Sequence, residues 1–266
     1  MSVISKKNGD LEYLVAEGIS APHAFTTRLG GVSGEQFSSL NLVMHRGDPE
    51  ENVQKNYAVL AKTLDFNLDA LVLTRQVHSD IVRIVTRKDA LGLDHRVYPE
   101  CDALITREPG VALGIFTADC TPILFHDPKT CAVGAAHAGW RGTAADIAGK
   151  TVGAMVQAFG CCPENIRAAI GPNIGFCCFE TDADVPNLLA EAFGSAVWEH
   201  IRPQQGKYYV NLKEINALAL RRAGVKNIEI STACTMCEHD RFWSHRYTRG
   251  NRGSQGAIIV CKEGNV

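Results

Sequence analysis

Apolar and polar positions along the chain change their spacing three times. Residues 22–48 are rich in Gly, Ser, Thr and Asn, as in TTRLGGVSGEQFSSLNLVMHRGD, and predict a long loop with short strands, a kind of segment that often supplies binding groups. Residues 52–64 then show helical spacing. From there to His137 come short β-prone runs at 70–75, 81–85, 103–106, 111–117, 123–126 and 131–137, so the middle third predicts mostly sheet. Downstream, TAADIAGKTVGAMVQAF places Ile147, Ala148, Val152, Met155, Val156 and Phe159 on one helical face. Thr143 is the expected N-cap, with Asp146 three residues on in the capping-box position. The remainder alternates: strand at 166–170, helix at 184–193, strand at 208–212, helix at 213–223, and strands at 228–232 and 257–261. Interleaved helices and strands predict an α/β chain around a mixed sheet. With no repeat, low-complexity tract or linker-like charge run, one continuous domain over 1–266 is expected.

Composition narrows this picture. At 266 residues and 45% hydrophobic, the chain can bury a large core. Lys and Arg total 27 against 29 Asp and Glu, a formal charge of -2, so no global field favours nucleic acid or an anionic membrane. Recognition must be local. Residues 1–10 carry two lysines but no following apolar stretch, and no run approaches the roughly 18 apolar residues of a membrane span. A cytoplasmic location is expected. Ten cysteines would suit a disulfide framework in a small secreted domain, but this chain has core enough without one. Most are therefore expected to be free thiols packed as small hydrophobes.

Candidate chemistry gathers at strand ends. Cys120 closes VALGIFTADC, His137 closes CAVGAAH, and His78 sits at the polar break of TRQVHSDIV. Adjacent strands would bring such ends together. Three protein donors suit a catalytic zinc, since a structural site normally closes with four, and zinc lowers the pKa of a bound water to about 7. Spacing alone does not select His78 over the other histidines. The same Cys120 and His137 would equally serve a cysteine hydrolase as nucleophile and base, with Asp119 or His78 orienting the imidazole. Trp140-Arg141-Gly142 precedes the helix expected near Thr143, so Arg141 and the helix N-terminus form a candidate anion site, a salt bridge being the alternative. Cys234-Thr235-Met236-Cys237, with His239 nearby, resembles half a zinc knuckle whose second half is not visible in the sequence. The basic, aromatic stretch DRFWSHRYTRGNRG fits a nucleoside or phosphate contact, or a solvated loop, better than nucleic acid.

RQVHS, TADCTPILFHD, AAHAGWRGT, IGPNIGFCCFE and the late CT…RFWSHR occur in one order that resembles the YfiH family, long labelled laccase-like or polyphenol oxidoreductase and now described as purine nucleoside phosphorylases. The resemblance covers nearly the whole chain. It implies one catalytic domain with an α/β sandwich fold related to the catalytic domain of cytotoxic necrotizing factor deamidases, and zinc held by His78, Cys120 and His137. It also implies phosphorolysis of adenosine, inosine and 5'-methylthioadenosine to base and a ribose 1-phosphate, with deamination of adenosine to inosine. Asp119 is the candidate proton carrier; Arg141, Arg46 and Arg28 are the phosphate candidates, and Arg246 is a further one. The partners implied are a purine nucleoside and phosphate, without nucleic acid or membrane, in a monomer or small homo-oligomer. Three positions depart from the family's usual pattern: Arg46, Pro49, and the segment Arg252-Gly253-Ser254-Gln255, where many members carry Gly-Arg. Arg249 or Arg252 could supply that missing contact.

Three other functions remain open at this point. One is a Cys120-nucleophile hydrolase acting on an amide or ester, such as the amino-acid bond of a peptidoglycan precursor. Another is a copper-dependent polyphenol oxidoreductase, against which nine scattered histidines without His-x-His pairs argue. The third is a non-enzymatic module whose metal only supports the fold.

Overall fold

The computed structural model describes residues 2–262. Its centre is built from strands that are apolar on both faces. One six-stranded sheet runs in the order Val3–Asn8, Leu11–Ala16, His23–Thr26, Gln255–Val260, Ala112–Thr117 and Leu71–Leu73, antiparallel except for its last pair. The other runs Asn227–Ile230, Arg167–Ile170, Thr121–His126, Val133–Ala138, Ala103–Thr106 and Val82–Ile84, with a parallel pair at each edge and antiparallel pairing between. Both sheets are mixed, as the interleaved pattern predicts.

Alternation explains why they stack. In the second sheet Leu104, Leu124, Val133 and Ala135 face the first sheet and share a core with Leu73, Ile115 and Ala257. Their neighbours Ala103, Ile105, Ile123, Phe125 and Ala136 face the other way, onto Ile147, Val152 and Met155 of the helix Ile147–Phe159 and onto Ile215 and Leu220 of the helix Leu212–Arg222. The helix Glu50–Leu64 sends Val53, Tyr57, Leu60 and Leu64 into the core of the first sheet. Strands covered on both faces read as continuous apolar runs rather than clean alternation. No helix among the described residues is long and apolar enough to cross a membrane.

Three local features differ from expectation. Thr143 does not cap the long helix: it lies inside a separate short helix, Trp140–Ala144, its N–H already bonded to the Gly139 carbonyl. The long helix starts at Ile147, capped by Asp146, which adopts φ 58° and accepts from the Gly149 N–H at 3.1 Å. The hairpin Val3–Asn8/Leu11–Ala16 has too many charged positions, Lys6 and Lys7 among them, to read as strand, although charge suits an edge. A small third sheet of Glu180–Thr181, Lys207–Val210 and Ile201–Gln204 turns at Gln205-Gly206, both at positive φ.

The chain leaves the first sheet at Thr117 and enters the second at Thr121. Ala118-Asp119-Cys120 therefore cross between the two layers at one end of the sandwich. Strand Val133–Ala138 ends there too, His137 lying opposite Pro122. The segment after Leu71–Leu73 brings His78 to the same end.

Candidate active site

His137 has the same strand parity as Val133 and Ala135, so it points into the layer between the sheets, where it is buried. Cys120 follows Asp119, whose φ of 85° makes the tight crossing, and His78 adopts φ 61° in its own turn. The donor atoms of His78, Cys120 and His137 lie within 4.8 Å of one another. Cys120 Sγ is 3.9 Å from His78 Nε2, and the two imidazoles meet edge to face at 5.0 Å. Gly139 runs directly beside them. A Cβ there would lie 3.0 Å from His78 Cδ2 and 3.3 Å from Cys120 Sγ, so any side chain at 139 would press on both groups.

The residue that organises this cluster escaped the sequence reading. Asp102, fully buried just before strand Ala103–Thr106, accepts from His137 Nδ1 at 2.8 Å. It also accepts from the backbone N–H groups of Val77, His78 and Ser79 at 2.7 to 3.1 Å and from the Ser79 hydroxyl at 2.7 Å. One carboxylate thus fixes the left-handed turn that carries His78 and holds the His137 ring. The orienting role expected of Asp119 or His78 falls to Asp102.

The electrostatics follow from burial and these contacts. Burial would push the Asp102 carboxyl up, but His137 and Ser79 together hold it down to about 2. Burial would likewise raise the Cys120 thiol, yet His137 and His78 draw it down to about 6. Burial would lower His137, but Cys120 and Asp102 hold it up at about 9. In the metal-free protein the result is a thiolate beside an imidazolium. With Nδ1 of His137 engaged by Asp102, its Nε2 is left for a metal, an arrangement typical of ligating histidines. Two imidazole nitrogens and one thiolate, all converging, fit a zinc or copper ion by donor chemistry.

The cluster forms the floor of a cleft of about 410 Å³. Phe116, Trp140, Ile174 and Phe179 supply apolar walls, and Arg46, His245, Arg246 and Arg252 a basic side. Its size and mixed lining suit a small polar ligand with one flat apolar part. Asp119 is in the lining, its two oxygens accepting from the Thr235 hydroxyl and the Arg246 N–H at 2.6 Å each.

The arginines sort differently from expectation. Arg46 lines the cleft. Arg141 does not: it is exposed and folds over the Trp140 ring at 4.1 Å, because the short helix turns its side chain outward. Arg28 is also absent from the lining, since it donates to the Ser38 and His239 carbonyls and covers Trp243. Arg252 is the better-placed cation. It donates to the Gly253 carbonyl at 2.8 Å and to Ser254 Oγ at 2.6 Å, while its buried Nε has no partner. Burial and the nearby Arg46 charge bring its pKa down to about 10.

Comparison with known proteins places the chain. The model of the family described as multi-copper polyphenol oxidoreductase laccase matches residues 22–262. The chain belongs to this laccase-like family. Within the family it is 41% identical, over 90% of its length and 89% of the relative's, to the purine nucleoside phosphorylase YlmD of Geobacillus stearothermophilus. It is 36% identical to adenosine deaminase RL5 from an unknown prokaryotic organism, over 90% of this chain and 93% of that one. The crystal structure of the Bacillus licheniformis hypothetical protein YfiH superposes with a TM-score of 0.91 at 34% identity, covering 97% of this chain and 99% of that chain. The resemblance to YfiH proteins carried by the sequence motifs is thereby established.

Proposed function

We propose that this laccase-like family member is a zinc-dependent purine nucleoside enzyme. It would phosphorolyse adenosine, inosine and 5'-methylthioadenosine and also deaminate adenosine. The observation that carries the reading is the juxtaposition, in one cleft, of the His78/Cys120/His137 donor set with a half-buried cation, Arg252, whose Nε has no partner, and with Arg46. The names of the relatives point the same way.

Phosphorolysis breaks the bond between ribose C1' and the purine nitrogen. The electron pair leaves with the base, a phosphate oxygen bonds to C1', and the proton carried by hydrogen phosphate passes to the base nitrogen, giving free base and ribose 1-phosphate. Arg252 and Arg46 would hold phosphate through charge-assisted hydrogen bonds. Phe116, Trp140 and Phe179 would cover the purine faces and exclude water. Each Asp119 oxygen already accepts one hydrogen bond, and a carboxylate oxygen has room for a second. Asp119 is therefore placed to take or return a proton beside Cys120. Zinc held by His78, Cys120 and His137 would supply Lewis acidity in the cleft. Asp102 keeps His137 in the tautomer and orientation that this set needs. Deamination consumes water and releases ammonia from the purine C6, a step for which the same Asp119 could carry the proton.

Zinc content and product analysis of the Cys120→Ala and His137→Ala variants test the reading. Both variants are expected to keep the wild-type circular dichroism spectrum while losing zinc and turnover of adenosine. Full nucleoside cleavage by both would sink the assignment.

A second reading has its own supporting observation. Cys120, His137 and Asp102 line up as thiolate, imidazolium and carboxylate, the order of a cysteine hydrolase. It would act on an amide or ester such as a peptidoglycan-precursor amino-acid bond, and the implied kinship with cytotoxic necrotizing factor deamidases belongs with it. Removing the metal separates the two: it abolishes turnover in the first reading and leaves it intact in the second. Copper oxidase chemistry fits less well, because among the described residues two histidines, His78 and His137, converge with Cys120.

A further inference from the structure

The half-knuckle seen in the sequence finds its other half across the fold. Cys177 and Cys178, from the loop after strand Arg167–Ile170, meet Cys234 and Cys237, from the loop after strand Asn227–Ile230. All four sulfurs lie within 4.8 Å of one another. Cys237 Sγ is 3.3 Å from Cys178 Sγ and 3.5 Å from Cys177 Sγ, favouring neither as a single partner. Four thiolates at about 2.3 Å from one zinc stand about 3.8 Å apart, so only small side-chain rotations separate this arrangement from a tetrahedron.

The backbone is already arranged around sulfur. The N–H groups of Gly175 and Cys237 both donate to Cys234 Sγ, at 3.2 and 3.5 Å. Gly175 itself passes so close that a Cβ would meet Cys177 Sγ at 3.2 Å and Cys234 Sγ at 3.3 Å. A compensating charge is present too. Four thiolates around a divalent ion leave a net charge of about -2. The buried Lys213 ammonium, held by the Ser231 and Ala233 carbonyls at 2.7 and 2.6 Å, lines the same groove as Cys177 and Cys234. His239 takes no part, since its ring stacks on Tyr247 at 3.7 Å.

We propose that Cys177, Cys178, Cys234 and Cys237 form a second metal site, a structural one, for a thiophilic divalent cation such as zinc. Binding releases the thiol protons and ties two loops together where an Asn173–Cys234 bridge already joins them. One loop carries Ile174 and Phe179 of the cleft wall; the other carries Thr235, which holds Asp119. The site would therefore brace the active-site wall from behind without touching substrate.

The test uses the full chain carrying His78→Ala and Cys120→Ala, which removes the other metal set. After anaerobic purification and chelation it is titrated with Co²⁺. One saturable equivalent is expected, with the strong thiolate-to-cobalt charge-transfer absorption of a four-sulfur set, bleached by added Zn²⁺. Adding Cys234→Ser with Cys237→Ser should remove the band. The single Cys177→Ser change, at an exposed corner, should keep the circular dichroism spectrum and weaken the band. Absence of a saturable band in the His78→Ala/Cys120→Ala protein, or a disulfide involving Cys237 found by mass spectrometry in the anaerobic protein, would overturn the proposal. None of these readouts depends on nucleoside turnover.

Discussion

Asp102 shows most plainly what a single side chain contributes here. It holds His137 through a ring nitrogen and His78 through the backbone of its turn, so its loss should loosen both histidines together. Asp102→Asn is expected to reduce metal affinity by about 10–100-fold, the usual cost of losing such an outer partner, as read by competition with a chromogenic chelator. Cys120 offers a pH test. In the metal-free protein its thiol titrates at about 6, below the usual thiol range, and so becomes thiolate as pH rises through that value. Alkylation of Cys120 by iodoacetamide should therefore reach half its plateau rate near pH 6 rather than near pH 9. The thiolate–imidazolium pair is lost on the acid side when Cys120 protonates, and on the alkaline side when His137 deprotonates at about 9. The melting temperature of metal-free protein, compared with Cys120→Ala, should show its largest advantage between those limits. Cys120 and His137 were legible in the sequence because each ends an apolar run. Asp102 was not, because its partners lie 23 to 35 residues away and no local spacing marks them.

The strands and helices were read well where burial is strong and less well at their ends. Strand Ala103–Thr106 and helix Asp184–Phe193 match the expected bounds, since both are framed by clear changes in polarity. The segment 139–146 did not, because it breaks into a short helix and a left-handed turn at Asp146 before the long helix starts. That break decides which arginine lines the cleft: the short helix sends Arg141 onto Trp140, while Arg252, after the Ser-His-Arg stretch, is in the lining. Arg252→Gln is accordingly expected to raise the KM for phosphate by about 10–100-fold, the worth of a lost charged hydrogen bond, whereas Arg141→Gln should leave it near wild type in steady-state assays. Gly139→Ala places a methyl group against His78 and Cys120. The strand should persist while zinc content falls, measured by elemental analysis beside the far-ultraviolet spectrum.

The whole chain joins these parts by having two mixed sheets stack and then bringing their connecting segments to one end. The sequence motifs identified the family and named the His78, Cys120 and His137 cluster that the fold brings together, while the position of the small third sheet and the meeting of four distant cysteines required the packed fold. A formal charge of -2 hides a cleft lined by Arg46, Arg246 and Arg252, so attraction of an anion depends on local placement rather than on the overall field. Phosphate dependence is therefore the most direct test. Adenine and ribose 1-phosphate released from adenosine by the zinc-loaded wild-type protein should be measured across a range of phosphate concentrations. Equal amounts of the two products are expected, rising with phosphate to saturation. Adenosine left uncleaved at every phosphate concentration would contradict the phosphorolysis reading.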